Sequence, residues 1–121
     1  MLTTVLGFIV LTLVTVAVAA PALAESGIAS HYSTRDSDQT GSRVACPGRK
    51  LVDSAMVAAH KSLPCGTKVT VTNKRNGRSV QVTIIDRGPY RAGRIVDVSL
   101  GAARALGFQG LTPVTLEVLG K

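Results

Sequence analysis

The sequence predicts a small, mainly β domain with one short helix, and three observations predict it. Lys68-Val69-Thr70-Val71-Thr72 and Ser79-Val80-Gln81-Val82-Thr83-Ile84 alternate polar and apolar residues with period two, as half-buried strands do. Between them, the Asn76-Gly77 step carries the backbone preference of a tight hairpin turn. Farther on, Ser99 is placed to cap a brief helix through Leu106, with Gly107 as its stop. A chain of 121 residues has room for one such domain.

In chain order, the first element is a leader. Positions 1–24 hold no charged residue, and Val5 to Ala20 is an almost unbroken apolar run. Pro21-Ala22-Leu23-Ala24 then puts small residues where a signal peptidase reads an Ala-x-Ala site. A signal peptide over 1–24, cleaved after Ala24, and a domain over 25–121 are predicted, although no Lys or Arg precedes the apolar run. No second apolar run approaches the ~18 residues of a membrane span, so no stable span is expected after processing. No Cys stands at the cleavage site to carry a lipid. The expected location is the periplasm or the extracellular cell wall.

Glu25 to Val44 is polar and loop-like, interrupted by one short strand, Ile28-Ala29-Ser30-His31-Tyr32, and followed by a surface excursion from Ser33 to Arg43. Cys46 and Cys65 are the two cysteines, and an oxidising compartment favours joining them. Such a crosslink would close a loop of 18 residues, worth roughly 3 kcal/mol by chain entropy. His31 and His60 complete no zinc spacing with them, and no metal or cofactor is expected. After the hairpin, Arg94-Ile95-Val96-Asp97-Val98 and Thr115-Leu116-Glu117-Val118-Leu119 read as strands.

Asp86 draws attention by parity. It falls in register with Val80, Val82 and Ile84, so a straight strand would aim it with the core residues at the strand's end, before the turn Arg87-Gly88-Pro89. A partly desolvated carboxyl there is suited to proton transfer. Asp97 has a blander expectation: just ahead of Ser99, it is expected to tie down the helix start.

At this point the residues resemble a known family. Gly27-Ile28-Ala29-Ser30-His31-Tyr32, Val57-Ala58-Ala59-His60-Lys61-Ser62-Leu63-Pro64-Cys65-Gly66-Thr67, Asp86-Arg87-Gly88-Pro89-Tyr90 and Gly93-Arg94-Ile95-Val96-Asp97-Val98-Ser99 are similar to the rare lipoprotein A (RlpA-like) domain, in order from about residue 27 to 119. The resemblance implies a six-stranded double-psi β-barrel with one or two short helices, and a lytic transglycosylase that cleaves peptidoglycan glycan strands to a 1,6-anhydro product. It carries the catalytic roles onto Asp86, as acid/base, and His60. One family position departs. The catalytic Glu expected 11 residues before the histidine is Arg49 here, and Arg stays charged and cannot act as a carboxylic acid. Since the substrate's own C6 hydroxyl attacks in such a reaction, Asp86 alone would suffice, with His60 orienting or tuning it.

The charge sharpens the partner. Fourteen Lys and Arg against seven Asp and Glu give +7, all of it after the leader. Arg87, Arg91 and Arg94 flank Asp86 in sequence, and Arg49, Tyr32 and Tyr90 join them as expected glycan contacts. Peptidoglycan glycan strands or another anionic wall polymer suit that surface. Nucleic acid is not expected, because only Tyr32, Tyr90 and Phe108 remain for base stacking after the leader. Arg49 keeps a second expectation open, an expansin-like wall-binding module without catalysis, and a barwin-type defence or inhibitor protein is the third. A monomer is expected in each case.

Overall fold

The computed structural model describes residues 5–15, 24–33 and 44–120. Residues 5–15 of the expected leader have no regular secondary structure, and the rest of it before Ala24 lies outside the described residues. The excursion from 34 to 43, with Asp36 and Asp38, lies outside them as well.

Six strands and one helix follow: β1 (Ala24–Tyr32), β2 (Val57–Ala59), β3 (Lys68–Asn73), β4 (Ser79–Asp86), β5 (Arg94–Ser99), α1 (Leu100–Leu106) and β6 (Thr112–Gly120). They close into a barrel in the order β1-β5-β2-β4-β3-β6. β1 runs parallel to β5 and β2 parallel to β4, while the other pairs are antiparallel. This is the six-stranded barrel that the sequence led us to expect, with a single short helix.

The alternating strands fill the barrel. Val69, Val71, Val82, Ile84, Val96, Val98, Val114 and Leu116 are all at most 1% exposed and meet in one apolar cluster with Ala29 and Ala58. Residues between them face the outer wall, as a pleat requires. The β3–β4 hairpin turns at Gly77, whose φ of 75° lies in the left-handed region. Asn73, 1% exposed, donates from Nδ2 to the Leu106 carbonyl at 2.9 Å, and Asn76 donates to the same oxygen at 2.8 Å. The turn thereby satisfies the open end of α1.

At seven residues α1 would not be stable alone in water. It forms because Ala102, Ala103 and Leu106 bury against the barrel and both ends are capped. The Ser99 hydroxyl accepts from Ala102 N at 3.2 Å, and Gly107 closes the helix at φ 74°. Asp97 is not used for this. The expectation that it ties the helix start is corrected, because Ser99 and the Asp53 carbonyl, which accepts from Gly101 N at 2.7 Å, hold that place.

A second correction concerns parity. β2 pairs Ala58 with Ile84 but Ala59 with Asp86, so Ile85 is an extra residue, a bulge in β4. The bulge moves Asp86 off the face of Val82 and Ile84 and onto the outer wall beside Ala59.

Candidate functional site

Three pairings place the site. On β1, Ser30 stands opposite Asp97 of β5; Asp97 stands opposite Ala59 of β2; and Ala59 stands opposite Asp86 of β4. Residues opposite one another share a face, so Ser30, Asp97, Ala59 and Asp86 form one row across four adjacent strands on the outer wall. The two aspartates are two strand spacings apart, ~10 Å between their Cα atoms, with the Ala59 methyl as the floor between them. Tyr32, two residues after Ser30, shares that face at the end of β1.

The two carboxyls are held differently. Asp86 Oδ1 accepts backbone N–H bonds from Ala45 at 2.8 Å and Arg87 at 2.9 Å, and among the described residues Oδ2 accepts none. Asp97 Oδ1 accepts from the Ser30 hydroxyl at 3.2 Å. Burial pushes Asp97 up to about 6, helped by the negative charge of Asp86 and opposed by the Ser30 bond and by the charges of His31 and Arg94. A carboxyl near 6 can hold and release a proton close to neutrality. The Tyr32 hydroxyl is likewise pushed up, by burial first and then by the charges of Asp86 and Asp97.

His60 is buried, but its ring serves the chain. Nδ1 accepts from the backbone N–H of Ser62 and of Leu63, both at 3.1 Å, which puts the ring proton on Nε2. That proton is directed at Glu25 Oε2, 3.2 Å away. The Glu25–His60 pair lines a cavity of about 310 Å³ with Leu63, Leu116 and Val118, and neither aspartate of the row belongs to it. The link between His60 and Asp86 is main-chain, His60 N donating to Asp86 O at 3.1 Å.

Arg87 is also committed inward. Its guanidinium donates to the His60 carbonyl at 3.1 Å and to the Leu63 carbonyl, and lies 3.7 Å from Cys65 Sγ. Cys46 and Cys65 are joined. The bridge ties the turn that presents Ala45 N to the loop that Arg87 braces, so disulfide, arginine and histidine together fix the corner around Asp86. Arg49 and Tyr90 are exposed, Tyr90 at 78%, while Arg94 is half-buried at the start of β5. Of the expected site residues, the structure sets Asp86 and Tyr32 on the same outer wall, keeps the His60 ring on other partners, and adds Asp97 and Ser30. A signal for these two was present: Asp97 alternates with the core residues Val96 and Val98. Among the described residues, no group of three His, Cys, Asp or Glu could hold a metal ion.

Residues 24–116 match the family model described as lytic transglycolase. A protein of Nostoc sp. named probable endolytic peptidoglycan transglycosylase RlpA is 52% identical over 101 residues, covering 82% of this chain and 27% of that protein. The chain therefore spans about a quarter of that curated relative's length. Among solved structures, the apo expansin of Clavibacter michiganensis superposes with a TM-score of 0.62 at 27% identity, over 80% of this chain and 50% of that one. A mutant of the same expansin in complex with cellohexaose gives 0.56 at 26% identity, over 80% of this chain and 50% of that one.

Proposed function

The chain belongs to the RlpA-like lytic transglycosylase family, and from that premise we propose that it is exported and cleaves peptidoglycan glycan strands, using Asp97 as general acid and Asp86 as general base. The observation that carries this reading is the pair of carboxyls facing one another over Ala59, one of them raised to about 6. Protonated Asp97 gives its proton to the glycosidic oxygen between N-acetylmuramic acid and N-acetylglucosamine as the C1–O bond breaks. Asp86 takes the proton of the muramic C6 hydroxyl, whose oxygen bonds to C1 and leaves a 1,6-anhydro end. Proton exchange with water then restores both groups. Asp86 keeps the role of proton acceptor; the donor role passes to Asp97, and His60 becomes a positioning residue through its loop. Tyr90, the exposed aromatic four residues after Asp86, offers a face for a sugar ring.

A second reading is favoured by Arg49. With a cation where the family has a carboxyl, and with an expansin as a structural relative, the same wall would bind glycan without cutting it. One experiment separates the two: incubate the oxidised protein with glycan strands stripped of stem peptides and analyse the products by mass spectrometry. Anhydro-ended fragments that vanish in Asp97→Asn and Asp86→Asn, and persist in Arg49→Ala, support catalysis. Glycan that pellets with the protein uncut supports the binding module.

A further inference from the structure

The far end of the barrel carries charge that the glycan wall leaves unused. β4 runs eight residues from Ser79 to Asp86, so the turn between β3 and β4 lies ~25 Å along the strand from Asp86, at the end where α1 stops. Lys74, Arg75 and Arg78 stand in that turn and Arg104 in the last turn of α1, all four exposed. The turn is held fast. Asn73 Oδ1 accepts from Arg75 N at 3.0 Å, Asn76 Oδ1 accepts from Arg78 N at 2.9 Å, and Lys74 N donates to the Pro113 carbonyl at 2.9 Å. Arg78 is laid across the helix end, for a Cβ on Gly107 would lie 2.8 Å from its Nη1. Arg104 lines a hollow of about 390 Å³ with the same Gly107, Phe108 and Gln109. Two arginines thus border one glycine.

The ordinary use for cations here is the helix C-terminus, whose open carbonyls favour them. The Leu106 carbonyl, however, is already taken by Asn73 and Asn76, and among the described residues the side chains of Lys74, Arg75, Arg78 and Arg104 make no hydrogen bond or ion pair. Asp53 shares a hollow with Arg104 at the start of α1, and one acid leaves this end strongly positive. An exposed ion pair is worth little singly, so a partner must engage several of these cations together. Guanidinium forks match the oxygens of phosphate and carboxylate groups. A bilayer fits poorly, because Phe108 packs edge-on against His31 and leaves Leu111 as the exposed large apolar residue between α1 and β6.

We propose that this end of the barrel binds an anionic polymer, taking its phosphate or carboxylate groups between the β3–β4 turn and the end of α1, apart from the sugar seated at Asp86 and Asp97. The proposal does not rest on cleavage, since a wall-binding module would use the surface in the same way. It also moves the place where the basic excess acts, because Arg87, expected beside the glycan, is committed inward.

The test measures binding of the folded protein to polyphosphate, to polygalacturonate and to phosphatidylglycerol vesicles by calorimetry at low salt, with the melting temperature of each variant. Arg78→Gln with Arg104→Gln is compared with Lys61→Gln with Lys68→Gln, which removes the same charge at the other end of the barrel. Wild type should bind at least one of the two polymers, and whichever binds identifies the anion. The arginine pair should weaken that binding by about tenfold or more, and the lysine pair by less than about twofold. Equal weakening in both double variants overturns the proposal, since it would mark a general charge effect. Binding of neither polymer overturns it, and so does binding to the vesicles alone. If the arginine variant melts several degrees lower yet binds polymer as wild type does, those side chains serve the helix end and the proposal falls.

Discussion

The corner at the end of β4 and the wall between β1 and β5 both carry an aspartate, and they are built by opposite means. At the corner, Asp86 is held from outside its strand: a bulge turns it, two backbone N–H groups grip it, and a disulfide, Arg87 and His60 brace the loops that supply them. On the wall, Asp97 is held by strand geometry, a serine on the neighbouring strand and burial. The braced corner is rich in recognisable residues because irregular backbone needs particular side chains to satisfy it. The wall needs few, since the ladder satisfies the backbone there, and it is the wall that shifts a carboxyl toward neutrality. Both aspartates stand in stretches that resemble the family, Asp86 in Asp86-Arg87-Gly88-Pro89-Tyr90 and Asp97 in Gly93-Arg94-Ile95-Val96-Asp97-Val98-Ser99, and it is their surroundings that differ.

The comparison can be broken by substitution. The largest expected effect is on the wall: Asp97→Asn should cut glycan cleavage by about 10³-fold while the protein stays folded, as removal of a general acid does. Retained cleavage in a quantitative product assay would return the chemistry to the corner. Next comes the bridge. Reduction, or Cys46→Ser with Cys65→Ser, should cost about 3 kcal/mol and lower the melting temperature by roughly 12 °C or more in calorimetry. His60→Ala should cost about 1 kcal/mol, since two part-buried backbone N–H groups lose their acceptor, with cleavage per folded molecule largely kept. His60→Asn, whose side-chain oxygen can take the place of Nδ1, should recover part of that stability; a loss of cleavage with full stability would make the ring catalytic.

The smallest effect has a sign that only the wall predicts. The Asp97 pKa is raised on folding from 3.8 to about 6, so the folded state binds its proton more tightly than the unfolded chain. Stability from this group is therefore present at pH 4 and lost as pH rises through 6. After discounting for partial exposure, Asp97→Asn should stabilise the protein by roughly 1 kcal/mol at pH 8 and not at pH 4, measured by denaturant titration.

Much of the barrel was legible in the sequence. The hairpin of β3 and β4 and the helix with its Ser99 and Gly107 caps were visible because periodicity and capping are local. β2 was not, since three residues give no period. β6 begins at Thr112, ahead of the expected Thr115, because Pro113 lies in the ladder opposite Ile28 and Thr112 bonds Asn73, a partner distant in sequence. The site was half legible. Motif and parity pointed to Asp86, but the Ile85 bulge that re-aims it depends on pairing with β2. His60 and Arg87 stand in the motifs, yet their partners Glu25 and Leu63 come from the folded chain. Asp97 was passed over because a helix start two residues away offered a simpler use for its charge.

The most direct test is the pH dependence of kcat/KM for cleavage of peptide-free glycan, measured from pH 4 to 8 in wild type and in His60→Asn. With Asp97 as the acid, both should lose activity as pH rises through about 6. A profile flat across that range, or a limb that disappears in His60→Asn, would contradict the assignment of the proton to Asp97.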